Sequence, residues 1–266
     1  MQSKFGIQAS TLDLEKIPDH DIPAPAPDGR ITTLNQMGYA TQGILGITKK
    51  FVDYAATCKY PVLDGGAAYG AASIAAIKAG ATVIANEIDQ KHLDIIAKSP
   101  QLTKEDREKL YLRLGVIPYD FDFPENSIGA IHMSRVFHFF HPKDVEETFK
   151  RAAKWLVPGG RFFILTASPF HFANRDFSDT YNANYAKGEK WPGEIFDFKF
   201  HAGGNEPEKT TGSYLHVMDP RVLFRVASEN GFIVKEIGLQ EGEFDVDYTV
   251  AIFINGKNNY NPTHAQ

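Results

Sequence analysis

The pattern of hydrophobic and polar positions changes character at Pro61. Beyond it, short apolar runs alternate with helical periodicity. Strands are expected at 62–64, 82–86, 111–114, 128–133 and 161–166, and helices at 69–79, 90–98 and 103–109. Another helix runs from Pro142, tolerated in a first turn, to Leu156, burying Val145, Phe149, Ala152, Ala153 and Leu156. Pro158-Gly159-Gly160 is expected to end it. Asp219-Pro220 opens a further helix to Asn230, with Gly231 just past its end. Residues 232–237 and 248–254 read as two last strands, a hairpin across the acidic loop 240–247. Such alternation predicts a parallel sheet with helices on both faces, joined by right-handed crossovers.

Two stretches do not alternate. In the first, Pro18, Pro23, Pro25 and Pro27 make 22–28 an extended connector, so the N-terminal arm is expected on the surface or partly disordered. Residues 33–56 then read as helical, cut by Gly38, Gly43 and Gly46 into short helices that could pack as a lid. The second stretch, 169–217, carries Phe170, Phe172, Phe177, Tyr181, Tyr185, Trp191, Phe196, Phe198 and Phe200. A structureless loop of that length is improbable in a compact domain. It is expected to be an inserted cap, its aromatics forming either a private core or the wall of an apolar substrate pocket. The organisation expected is an arm and helical lid over 1–55, one α/β domain over 56–255, and a loose tail over 256–266.

Composition narrows the function. Hydrophobic residues make up 43% of the chain, ample for one globular core. A net charge of −5 and pI near 6.0 disfavour a nucleic-acid partner held by phosphate contacts. The one cysteine, Cys58, allows no internal disulfide and no cysteine metal site. No His/Cys/Asp cluster stands at metal-ligand spacing. The start lacks an apolar signal segment, and no run of about 18 apolar residues exists, so a soluble cytoplasmic protein is expected. There is no G-x-S-x-G elbow for serine hydrolysis.

The chemistry concentrates at Val62-Leu63-Asp64-Gly65-Gly66-Ala67-Ala68-Tyr69-Gly70. A strand, a tight turn of small residues and a helix N-terminus make a cradle for an anionic group. Gly65, Ala67 and Gly70 form a G-x-A-x-x-G variant, with Glu87 where a ribose-binding acid of a dinucleotide site would lie. Asp64 argues otherwise. A carboxylate there repels phosphate and favours a cationic ligand, by about 1 kcal/mol at ~4 Å in water and more when shielded. Ligands of doubly wound sheets bind outside the carboxyl ends of the strands. Asp64 and Glu87 both stand at such ends.

With Leu156-Val157-Pro158-Gly159-Gly160-Arg161-Phe162 added downstream, the chain resembles the class I S-adenosylmethionine-dependent methyltransferases. Residues 62–70 resemble that family's first motif and Ala85-Asn86-Glu87-Ile88-Asp89 its second. Residues 128–134 with Arg135-Val136-Phe137-His138 resemble the fourth-strand motif. The resemblance covers about 55–255 and implies a Rossmann-like, doubly wound sheet of seven strands ordered 3-2-1-4-5-7-6, the seventh antiparallel. It implies S-adenosylmethionine as cofactor, S-adenosylhomocysteine as product, and in-line methyl transfer to a small-molecule acceptor. By the same resemblance Asp64, Gly65, Gly66, Ala67, Tyr69 (through its backbone) and Gly70 face the methionine end. Glu87 takes the ribose, Ile88 packs on the adenine, and Ser134 and Arg135 line the floor beside the sulfonium. Tyr39 could reach the cofactor from the lid. Ala68 replaces a glycine of the family pattern. The acid expected after the third strand is missing at Gly115-Val116, Asp120 being the nearest substitute. His138 is the candidate general base, set against the plainer reading of a packed histidine among Phe137, Phe139 and Phe140; mid-strand His132 is a weaker candidate. Other readings are a protein methyltransferase, a noncatalytic binder of the same fold, and a nicotinamide oxidoreductase.

Overall fold

The computed structural model describes residues 3–196, 214–241 and 247–257. Its first part holds strand β1 (Ile7–Gln8), two 3-10 turns, a hairpin of β2 (Ile31–Thr32) and β3 (Tyr39–Ala40), and helix α1 (Gly46–Ala55). The alternating part follows: β4 (Val62–Gly65), α2 (Ala71–Lys78), β5 (Val83–Glu87), α3 (Gln90–Lys98), α4 (Lys104–Glu108), β6 (Leu110–Leu114), β7 (Ile128–Ser134), α5 (Pro142–Trp155) and β8 (Leu156–Ala167). Then come α6 (Ser178–Ala186), the short pair β9 (Glu194–Phe196) and β10 (Tyr214–His216), α7 (Pro220–Glu229), and the hairpin β11 (Phe232–Glu241) and β12 (Asp247–Asn255).

The main sheet runs β1-β6-β5-β4-β7-β8-β12-β11. Strands β4 to β8 pair in parallel, and β12 lies antiparallel to both β8 and β11. Leaving out β1, this is the order 3-2-1-4-5-7-6. The two-residue period of a strand sorts side chains onto two cores. Leu63, Ile84, Ile131 and Phe162 face the layer of α5 and α7, where Phe149 and Trp155 are fully buried. Val62, Val83, Ala130 and Phe163 face the layer of α1, α2 and α3. The strand order reverses between β4 and β7, which places the ligand crevice at their carboxyl ends.

Three expectations change. The N-terminal arm is built into the sheet: β1 pairs antiparallel with β6, Ile7 opposite Leu112, and Phe5 packs edge-on against Tyr111. Backbone pairing at a sheet edge needs no side-chain period, so a two-residue strand leaves no pattern to read. The lid is not helical before Gly46. Residues 31–40 form a hairpin in which the Thr33 N–H bonds the Gly38 carbonyl and the Thr33 hydroxyl bonds Asn35 Oδ1 at 2.7 Å. Such local bonds compete with helix formation. The Pro158-Gly159-Gly160 segment does not end the helix, which stops at Trp155. It bulges inside β8: β7 advances from Ile128 to Ala130 while β8 advances from Leu156 to Arg161.

The inserted stretch has structure where it is described. A 3-10 segment (Phe172–Phe177) leads into α6, and β9 pairs with β10. Tyr181 is fully buried in the core of α5 and α7, with Phe177 and Trp191 packed against it. These aromatics belong to that core rather than to a pocket wall. Phe198, Phe200 and His201 lie outside the described residues, as do most of the acidic loop and of the tail.

Candidate active site

The turn after β4 is shaped by contacts that exclude side chains. A Cβ on Gly66, whose φ is +73°, would stand 2.5 Å from Val136 Cγ2; one on Gly70, at φ +81°, would stand 2.7 Å from Ile96. The N–H groups of Gly66 and Ala67 both bond the Asn86 carbonyl, holding the turn against the end of β5. Ala68 takes the left-handed conformation at φ +46°, which glycine adopts without strain. Its N–H donates to Glu87 Oε1 at 2.8 Å, while the Ile88 N–H donates to Glu87 Oε2 at 2.9 Å. Glu87 therefore spans the two strand ends.

Asp64 is buried within a chain of hydrogen bonds. Ser73 Oγ donates to Oδ2 at 2.6 Å, and His132 Nδ1 donates to Oδ1 at 2.8 Å. The Thr48 hydroxyl on α1 meets His132 Nε2 at 3.1 Å, and Phe51 stacks on the imidazole with centroids 4.7 Å apart. With Nδ1–H toward the carboxylate, the ring turns Nε2 to the hydroxyl. Among the described residues no lysine or arginine pairs with Asp64.

Above these strand ends lies a cavity of about 970 Å³, at the top of the range for small-molecule sites, roughly 300–1,000 Å³. Asp64, Gly66, Ala67, Tyr69, Glu87, Ile88, Ser134, Arg135, His138 and lid residue Tyr39 all line it. Ile88 is 45% exposed, and Val116, also on the wall, 44%; both present apolar surface to the interior. The hairpin closes one side. The Tyr69 hydroxyl donates to the Thr32 carbonyl at 2.6 Å, and burial pushes its pKa up to about 12. The Leu34 N–H donates to buried His92 Nε2 at 3.0 Å. His92 Nδ1 faces Glu87 Oε2 at 3.6 Å, too far for a hydrogen bond but close enough for electrostatic contact. Asp94 and Lys98 on α3 tie the arm through His20 and Asp19.

The other end has a different chemistry. Arg135 follows β7 in a left-handed conformation, φ +59°, its N–H bonded to the Leu165 carbonyl at 2.7 Å. Its guanidinium meets Thr41 Oγ1 at 3.3 Å and lies over the Tyr248 ring at 5.1 Å. His138 and Asn174 stand on the same wall, each with a buried polar atom, Nδ1 and Oδ1, that has no hydrogen-bond partner. Burial, with Arg135 and His171 nearby, pulls the His138 pKa down to about 3, so its ring is neutral at physiological pH. Phe139, Phe140 and Leu215 supply apolar surface.

Three sequence candidates are not on the cavity wall. Gly65 is packed against Ile117 and Met133, and Gly70 against Ile96. The Asp120 carboxylate accepts from the Val116 N–H at 2.9 Å and caps its own turn. Sequence reading undervalued His132, whose mid-strand place hid its pairing with Asp64; the signal available was its location on the strand beside β4. Thr48 and Asn174 carried no signal, because each reaches the cavity from a segment remote in the chain.

Residues 62–160 match a family profile described as a methyltransferase domain. No curated protein matches the chain. Among solved structures, a methyltransferase from Methanosarcina mazei, described as dependent on S-adenosylmethionine, superposes with TM-score 0.57 at 17% identity, over 73% of this chain and 92% of its own. One from Mesorhizobium loti gives TM-score 0.53 at 16% identity, over 79% and 98%. Geranyl diphosphate C-methyltransferase from Streptomyces coelicolor, in complex with Mg2+, geranyl diphosphate and S-adenosyl-L-homocysteine, gives TM-score 0.52 at 11% identity, over 78% of each chain. At these identities the likeness is one of fold.

Proposed function

We propose that this chain, whose residues 62–160 match a methyltransferase-domain profile and whose fold is like that of S-adenosylmethionine-dependent enzymes, methylates a small molecule using S-adenosylmethionine. The observation that carries this reading is the pair of buried carboxylates, Asp64 and Glu87, at adjacent strand ends beneath one cavity. An ionised carboxylate offers about four lone-pair sites. Asp64 spends two on Ser73 and His132, and Glu87 spends two on backbone N–H groups. Each keeps capacity for a ligand: Asp64 for the cationic methionine end, Glu87 for ribose hydroxyls. Ile88 and Val116 offer apolar faces to an adenine ring. The N-terminus of α2, beside Ala71 and Ala72 on the wall, favours the ligand carboxylate.

S-adenosylmethionine supplies an electrophilic methyl group on a sulfonium. The protein's part is to bind, align and exclude water. Asp64 and Glu87 would hold the cofactor, and Ser134 and His138 on the same cavity would lie beside the group that takes the methyl. His138 Nδ1, which has no hydrogen-bond partner, would accept a hydrogen bond from an acceptor that carries a proton, and that proton would pass to solvent. The net charge of −5 and a cavity of small-molecule size favour a small molecule over a nucleic acid.

Calorimetric titration tests the reading. S-adenosylmethionine and S-adenosylhomocysteine are expected to bind in one-to-one ratio and NADH not to bind. Binding of NADH alone would overturn it.

A further inference from the structure

Four lysine and arginine side chains line the cavity: Arg30, Lys78, Lys98 and Arg135. Three are paired with carboxylates: Arg30 with Asp28, Lys78 with Asp106, and Lys98 with Asp19. Arg135 has no carboxylate partner among the described residues; its contacts are a hydroxyl and an aromatic ring. A partly buried guanidinium normally pairs, because desolvating an unpaired charge is costly. It also occupies a left-handed backbone position, a conformation that costs on the order of 1–3 kcal/mol for a residue with a Cβ and clusters at ligand sites. An anion bound at Arg135 supplies the partner that its guanidinium lacks among the described residues.

The neighbouring orphan atoms describe the rest of the ligand. Asn174 Oδ1 can only accept, so the group facing it brings a hydrogen. His138, neutral, offers a second polar contact beside it. Leu215, Phe139 and the Tyr248 ring suit an apolar or aromatic body.

We propose that the methyl acceptor is a small organic acid whose carboxylate or phosphate oxygens bind Arg135, and whose nucleophilic hydroxyl or amino group lies against His138 and Asn174. This rests on the methyltransferase reading and narrows it. The nucleophile's proton leaves as its oxygen or nitrogen takes the methyl group, and the acid group takes no part in the bond change.

The experiment uses the full chain saturated with S-adenosylhomocysteine, so acceptors bind without turnover. Isothermal titration compares the hydroxybenzoates and aminobenzoates with their neutral carboxamides, and phenyl phosphate with phenol. At least one acid is expected to bind tenfold or more tightly than its neutral match. Preference for the benzoates identifies a carboxylate acceptor, and preference for phenyl phosphate a phosphoryl one. In Arg135→Gln the preference is expected to vanish, and in Arg135→Lys to persist in part, with thermal melting confirming that both variants fold. Neutral ligands binding as tightly as acids, no acid binding at all, or a preference surviving in Arg135→Gln overturns the proposal while leaving cofactor binding intact. Failure of the wild type to bind S-adenosylhomocysteine overturns this proposal and the methyltransferase reading together.

Discussion

The two ends of the cavity are built on opposite principles. At the Asp64–Glu87 end, both carboxylates are already held through hydrogen bonds to a turn, a helix and the neighbouring strand. At the Arg135 end, a guanidinium lacks a carboxylate among the described residues, and His138 and Asn174 each leave a buried atom unsatisfied. Buried polar atoms are ordinarily paired, so orphans gathered on one wall mark where a ligand supplies the missing partners. The first end holds its carboxylates in advance, though His92 Nδ1 there also lacks a hydrogen bond and faces Glu87 at 3.6 Å. The second is incomplete until its own ligand arrives.

Four perturbations test that contrast, the largest first. Asp64→Ala removes the counter-charge and strands His132 and Ser73. Cofactor affinity is expected to fall by roughly 30-fold or more, about 2–3 kcal/mol, the cost of breaking a buried charged hydrogen-bond network. Calorimetry measures it, and unchanged affinity would contradict a cofactor site at that end.

The second acts on the incomplete end through pH. The His138 pKa is depressed in the fold from 6.5 to about 3, so below 6.5 the unfolded chain binds the proton that the folded chain refuses. Stability from this group is therefore full above pH 6.5 and is lost as pH falls toward 3, by about 1.4 kcal/mol per unit. Buried His216, depressed to about 4, adds a loss of the same sign. Chemical denaturation at pH 7 and pH 5 is expected to show a smaller loss in His138→Gln than in wild type; equal losses would refute the burial argument.

Glu87→Gln comes third. It keeps an acceptor oxygen for one N–H but faces the other with an amide donor. Affinity for S-adenosylhomocysteine is expected to drop about tenfold, in line with a charged hydrogen bond worth roughly 1.5–3 kcal/mol. The smallest effect is Ala68→Gly. At φ +46° glycine relieves local strain but adds disorder to the unfolded chain, so a net gain of no more than about 1 kcal/mol is expected in thermal melts. A large loss would mean that the Ala68 methyl packs in a way its conformation does not suggest.

The legibility of the molecule follows the same division. β4, β5 and β7 were readable because parallel strands buried on both faces are short apolar runs between helices. Asp64 and Glu87 were readable because each ends such a run. The hairpin of β2 and β3 was not, since its apolar positions mimic a helical period while Thr33 and Asn35 bond locally. Edge strand β1 was not, because its pairing is made by backbone alone. Asp120 was misplaced because counting along the chain does not show that a carboxylate has turned back onto Val116.

What the sequence by itself determined is the alternation that makes the sheet and the two acids at the strand ends, written locally in periodicity and punctuation; the strand order came only from the resemblance to the methyltransferases. Only the tertiary structure decided the partners: His132 on Asp64, the hairpin tied to Tyr69 and His92, and Arg135, His138 and Asn174 gathered on one wall. The physical reason is distance along the chain. Apart from Arg135 and His138, neighbours in one turn, these contacts join residues tens of positions apart, and their geometry exists only once the sheet has brought the strand ends together.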